Sequence, residues 1–341
     1  MKKFIKKFLL MALPISAAIV FVNYYGDAAS LFDRGYEKQM ADIIENRKYV
    51  TNVSEFDDRL FQRELIISEK IHPRVAVFGS SRAMLISADI YGDSLLLNNS
   101  VYFACIEDVA AIYQIYKSNN KLPEKIIIGV DPWLFSENAA HIRWKSIASY
   151  YYAFTGKSDD NIFNSKYAQL FSLSYFQSSL RTLPNKIRGY TKPMATNKKF
   201  NTRITRLTDG SVVYGESYRN TTPKQVDEII TLRLSEDQGN SSKLYVISTE
   251  FWSLFERLIS DMKTNNIEVE FFLSPFPVRM YNKRADNYKE IEDAVKKYAA
   301  TQHIKVFGTY NANMLNMDNS YFMDERHCNE KAIKEIFRNN N

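Results

Sequence analysis

Four short apolar runs set the limits on how this chain can fold: residues 75–78, 126–130, 267–273 and 304–308. Each is rich in β-branched or aromatic residues and too short for a helix. Each stops at a glycine or proline signal: Gly79, Asp131-Pro132, Ser274-Pro275 and Gly308. Runs of this kind read as buried strands. A fifth, shorter run spans 95–99. Amphipathic helical patterns lie between them at 107–117, 249–264 and 288–302, and another closes the chain at 329–338. In 249–264 the apolar positions Phe251, Leu254, Phe255, Leu258, Ile259 and Met262 recur at helical spacing. Strands alternating with helices imply a parallel sheet covered on both faces. The expected fold class is α/β, a three-layer α/β/α domain with a five-stranded parallel sheet.

The rhythm is interrupted twice. Residues 136–244 hold aromatic clusters, basic residues (Lys192, Lys198, Lys199, Arg203, Arg206) and a turn at Asp209-Gly210. A small hairpin is expected over 212–214, and a helix from Pro223 to about 234. This stretch is too long for a connector and reads as an insertion capping the sheet. Upstream, residues 27–73 are polar and helical in pattern, with a helix over 54–69 capped by Ser54, and read as a stalk. The domain proper is expected at 74–341.

The N-terminus is basic through Lys7, and residues 8–25 carry no charge. About 18 apolar residues approach the length of a membrane span. Lysines before the run and none just after it place the N-terminus in the cytoplasm. The expectation is a single-pass anchor in residues 1–26 with the remainder outside the cytoplasm. A cleaved signal peptide is the alternative, with a weak candidate site at 27–30.

The net charge is +6, with 45% hydrophobic and 25% charged residues, a globular composition. The basic residues are spread out, with no block interleaved with aromatics, which argues against nucleic acid as a partner. Two cysteines, Cys105 and Cys328, cannot form a disulfide framework, although each sits beside a motif and the two could pair outside the cytoplasm. Four histidines without metal-ligand spacing give a metal site little support. No cofactor is implied.

The run Arg74-Val-Ala-Val-Phe-Gly-Ser-Ser-Arg-Ala83 breaks at Gly79 and exposes two serines where a strand should hand over to a helix. That geometry suits Ser81 as a nucleophile, with a helix N-terminus favouring a developing anion. Near the other end, Asp324-Glu-Arg-His327 sets a carboxylate three residues before an imidazole. The spacing lets Asp324 fix the His327 tautomer so that Nε2 can act as a base.

These residues resemble the SGNH/GDSL hydrolase superfamily in its membrane-anchored, cell-envelope branch, DltD-like or similar to polysaccharide O-acetyltransferases. Gly79-Ser80-Ser81 stands for the first block and Asp324-Glu-Arg-His327 for the last. The resemblance covers about 74–338 without the insertion. It implies a flavodoxin-like strand order and a Ser81, His327, Asp324 triad. It also implies an envelope polysaccharide or teichoic-type acceptor, and work beside a membrane-bound O-acyltransferase of the MBOAT type. The middle blocks depart from the pattern. Phe103 holds the place of a glycine that lends its N–H to the oxyanion hole, and its bulk would restrict the pocket. Asp131 holds the place of an asparagine donor, and a carboxylate cannot donate. The expected activity is serine-dependent acyl transfer, as transferase or esterase. The alternative is a catalytically weak scaffold of the same fold.

Overall fold

In the computed structural model, which describes residues 2–27, 35–53, 56–137, 143–157, 167–188, 192–236 and 245–338, the apolar runs become five strands. They are β1 (Val75–Phe78), β2 (Leu96–Asn98), β3 (Lys125–Gly129), β4 (Glu268–Leu273) and β5 (Lys305–Gly308). All pairings are parallel and the order is β2-β1-β3-β4-β5. This is the doubly wound order whose strand reversal opens a crevice at the carboxyl edge, beside β1 and β3.

Alternation along each strand divides the core between two faces. Ala76, Phe78, Ile126, Ile128 and Phe271 join one cluster with the helices Ile106–Ser118, Thr249–Thr264 and Ala285–Thr301. Val75, Val77, Ile127, Phe272 and Phe307 join the other with Pro223–Glu236 and Glu330–Arg338. Ile126, Ile127 and Ile128 are all fully buried. Each such side chain contributes about 1.5–3 kcal/mol by leaving water, so three consecutive isoleucines fit only a strand covered on both sides. The hairpin after Asp209-Gly210 also forms, between Thr205–Arg206 and Val212–Val213, with Gly210 at φ +74°.

Three expectations change. No helix begins at Ser81. Residues 81–85 form consecutive turns, with Ala83 N–H donating to Ser80 O and Ile86 N–H to Ala83 O, and helix returns only at Ala88–Tyr91. The helix-dipole argument for Ser81 therefore lapses. The helix expected over 54–69 is Asp58–Ile67, capped by the Asp57 carboxylate, which accepts from the Arg59 and Leu60 N–H groups; Ser54 lies outside the described residues. Residues 35–73 do not stand apart as a stalk. Tyr49–Thr51 is a strand of a four-stranded antiparallel sheet, between Met194–Thr196 and Thr205–Arg206 of the insertion. Met40, Ile44, Val50, Phe61 and Leu65 share one small core.

The fully buried Arg59 welds this segment to the main domain. Its guanidinium meets Asp58 at 2.6 Å and Asp108, on the helix Ile106–Ser118, at 2.8 Å, and donates to Tyr102 O at 2.9 Å. The N-terminal helix Lys2–Gly26 carries Pro14 within it. Its Asn23 amide donates to the carbonyls of Gln169, Leu170 and Ser172 at 2.8–3.1 Å, so the helix is tied to the insertion. Among the described residues no helix is long and apolar enough to cross a membrane, so they lend the expected span no support. Most of the candidate cleavage site, residues 28–30, lies outside them.

Replacing Arg59 by Ala leaves two carboxylates buried without their cation, a loss of about 3–5 kcal/mol. Urea unfolding of Arg59→Ala should register it, and a loss below about 1 kcal/mol would show that the network does not hold the segment.

Candidate active site

The site is built at the carboxyl edge of β1 and β3. A Cβ on Gly79 would come 2.9 Å from Ala83 Cβ and 3.2 Å from Gly129 Cα, closer than side chains pack. Two glycines facing each other let the 81–85 turns settle onto the strand ends. Asn98, from the end of β2, braces the same turns: its amide donates to Ala83 O at 2.8 Å and Ile86 O at 2.9 Å. From the insertion, Val212 N–H donates to Met84 O at 2.9 Å. The turns that follow Ser81 are thus held from three sides.

His327 arrives on the loop after β5, where Met323 N–H donates to His327 O at 2.9 Å and closes a tight turn. Ser81 Oγ lies 2.9 Å from His327 Nε2, and His327 Nδ1 lies 2.8 Å from Asp324 Oδ2. Asp324 Oδ1 accepts from the Arg326 and His327 N–H groups at 2.8 and 2.7 Å. With Nδ1–H directed at the carboxylate, Nε2 is left to accept the serine proton. Burial alone would raise the Asp324 carboxyl. The His327 ring, the Tyr218 hydroxyl and the Arg326 N–H outweigh it and lower the carboxyl from 3.8 to about 2. Asp324 is therefore a carboxylate across the neutral range. All three residues expected to act together are brought together.

Sequence reasoning missed two insertion tyrosines. Tyr218, on the helical turn Glu216–Arg219, donates its hydroxyl to Asp324 Oδ2, and its oxygen lies 3.0 Å from His327 Nδ1. Tyr214 donates to Ser81 O at 3.2 Å, and its ring centroid is 5.1 Å from that of Tyr218. Burial pushes both phenols up, and the Asp324 charge pushes further, so both stay protonated as donors. The only sequence hint was two tyrosines four residues apart after the expected hairpin, a pattern with no chemical signature of its own.

The two positions that depart from the family pattern are also resolved. Phe103 has φ +55°, the left-handed conformation that glycine favours. Its ring does not fill a pocket: the residue is 53% exposed, with the Arg143 guanidinium 5.2 Å from the ring centroid. Asp131 is not an oxyanion donor. Its Oδ1 accepts from Arg82 Nη1 at 2.9 Å. Arg82 also donates to Ser274 O, and to Pro275 O at 3.0 Å, and lies 3.7 Å over the Phe276 ring. Burial raises the Asp131 carboxyl and the Arg82 charge opposes the rise. Arg82, which directly follows Ser81, was not singled out from sequence. Among the described residues the Ser81 N–H donates to no acceptor, which leaves it available to an oxyanion. Cys105 and Cys328 are both buried free thiols, so the pairing considered from sequence does not form.

Compared with known proteins, the chain matches no family model and no curated protein sequence.

The lowered Asp324 carboxyl makes stability depend on pH. A depressed folded-state value contributes stability that is complete above 3.8 and is lost as pH falls to about 2, amounting to about 2 kcal/mol. In Tyr218→Phe one donor to this carboxylate is gone, so the acid loss should still begin near 3.8 but be complete at higher pH, and the total should shrink by about 1 kcal/mol. Denaturant unfolding across the acid range reads both, and superimposed curves for the two proteins would show that Tyr218 does not hold the carboxylate.

Proposed function

We propose that this protein is an SGNH-type serine acyltransferase or esterase, acting outside the cytoplasm on a hydroxyl-bearing cell-envelope polysaccharide or polymer. The observation that carries the reading is the relay from Ser81 Oγ through His327 to Asp324, at 2.9 and 2.8 Å, between residues 246 positions apart in sequence. Chance rarely assembles three such groups at the carboxyl edge of a doubly wound sheet. In the proposed reaction Ser81 Oγ attacks an ester or thioester carbonyl while His327 Nε2 takes its proton. The tetrahedral oxyanion is met by the Ser81 N–H. The leaving group departs with the proton from His327, giving an acyl-serine. Water or a sugar hydroxyl, deprotonated by His327, then attacks the acyl-serine carbonyl; the bond to Ser81 Oγ breaks as His327 returns the proton to it, freeing the acid or the acylated sugar. Transfer to a sugar is favoured by the resemblance, and the acyl donor would come from a membrane-bound O-acyltransferase.

The location rests on the N-terminal helix, where Phe4, Leu10, Met11, Leu13 and Ile15 are all more than half exposed. Side chains of this kind are at home in lipid rather than water, which supports a membrane attachment through this helix.

One observation favours a second reading, a catalytically weak scaffold. The position where relatives place an asparagine donor is an aspartate occupied by Arg82. An oxyanion hole short of one donor loses about 10²–10³ in rate.

An active-site fluorophosphonate separates the two readings. The folded wild-type protein should form a single adduct at Ser81, and Ser81→Ala none. His327→Ala should slow labelling by at least about 10³-fold. Absence of an adduct on the folded wild type would remove the nucleophile. In cells, Ser81→Ala should abolish surface acylation, whereas a scaffold would keep its role.

A further inference from the structure

The charge of this chain is unevenly placed. Residues 161–208 contain nine Lys or Arg and no Asp or Glu, while the whole chain is only +6. The remainder is therefore net acidic, and the positive excess belongs to the middle of the insertion. Within it lies the helix Leu173–Arg188. One face of that helix is committed: Tyr175 donates to Asp27 Oδ1 at 2.7 Å and Thr182 to Gly26 O at 2.6 Å. A Cβ on Gly26 would overlap the Ser179 backbone, so the N-terminal helix is seated closely there. At a helical rotation of about 100° per residue, Leu173, Leu180 and Ile187 fall together on the side away from this contact. They are 65%, 45% and 73% exposed, with Phe171 just ahead of them also exposed. Arg181, Lys192, Lys198 and Arg203 are exposed in the same segment.

We propose that the helix Leu173–Arg188 lies flat on an anionic lipid surface, with Leu173, Leu180 and Ile187 dipped into the boundary between headgroups and acyl chains and the exposed basic residues of the same segment drawn to the headgroups. An exposed apolar stripe on a helix that carries basic and no acidic residues is the pattern of an interfacial helix. The occupant is a membrane rather than another protein because the exposed stripe belongs to the element that holds the exposed, apolar N-terminal helix. Two weak attachments, the helix Lys2–Gly26 and this one, then act together, and the two-point contact fixes the domain's orientation as well as its distance from the bilayer. The inference does not depend on the Ser81 chemistry.

The test uses the full chain with phosphatidylcholine vesicles, with and without phosphatidylglycerol. Single cysteines replace Leu180 or Ile187 and carry an environment-sensitive dye; Cys105 and Cys328 are buried and should label slowly. Leu13→Cys reports the N-terminal helix separately, and Lys334→Cys, on the closing helix, is the exposed control. Dyes at 180 and 187 should shift to the blue and be quenched by lipid-borne nitroxide, and the control should not. Omitting phosphatidylglycerol should weaken this contact roughly tenfold or more. Quenching at 13 but not at 180 or 187 overturns the proposal and leaves the N-terminal helix as the membrane contact. Protection by a soluble polyanion but not by vesicles overturns it in favour of an anionic polymer. Protection without lipid that grows with protein concentration overturns it in favour of a second copy.

Discussion

The approach of β1 and β3 at their carboxyl ends governs everything built above them. Gly79 and Gly129 face each other with Ala83 resting between them, and no larger side chain fits at either glycine. That contact lowers the 81–85 turns onto the sheet, where Asn98 and Val212 fasten them. A helix beginning at Ser81 would have aimed the serine by a dipole. Here it is aimed by packing and by three sets of hydrogen bonds, a stiffer arrangement that depends on small residues staying small.

The second dependence is on the insertion. Asp324 Oδ2 serves two donors, His327 and Tyr218, and Tyr214 holds the Ser81 carbonyl. The insertion therefore touches both ends of the Ser–His–Asp relay and is not an appendage of the domain. Arg82 and Asp131 form the opposite wall as a closed ion pair. A buried pair of this kind fixes geometry more than it adds stability.

The strands were legible because buried parallel strands must be continuously apolar, and 126–128 can hardly be anything else. Their order followed from the resemblance rather than from the runs themselves. Ser81, Asp324 and His327 were legible because a glycine-serine break and an acid three residues before a histidine carry chemistry in their spacing. Tyr214 and Tyr218 were not, because their meaning lies in what they meet across more than 100 residues. Of the small antiparallel sheet only the hairpin at the Asp209-Gly210 turn was legible; the rest consists of strands of two or three residues, too short to show a period. The helix expected after the serines failed for a related reason: Arg82 is drawn inward by Asp131 and two carbonyls, and that pull outweighs helix propensity.

The 246-residue separation of Ser81 from His327 also orders events during synthesis. β1 and its serine leave the ribosome long before the loop that carries the imidazole. Tyr214 and Tyr218 follow at an intermediate stage, able to brace the serine backbone but with no carboxylate to hold. Throughout elongation the hydroxyl has no imidazole beside it, and on the proposed reading a chain halted short of residue 327 would be inert toward acyl groups. Its reactivity would then be switched on by completion of the fold.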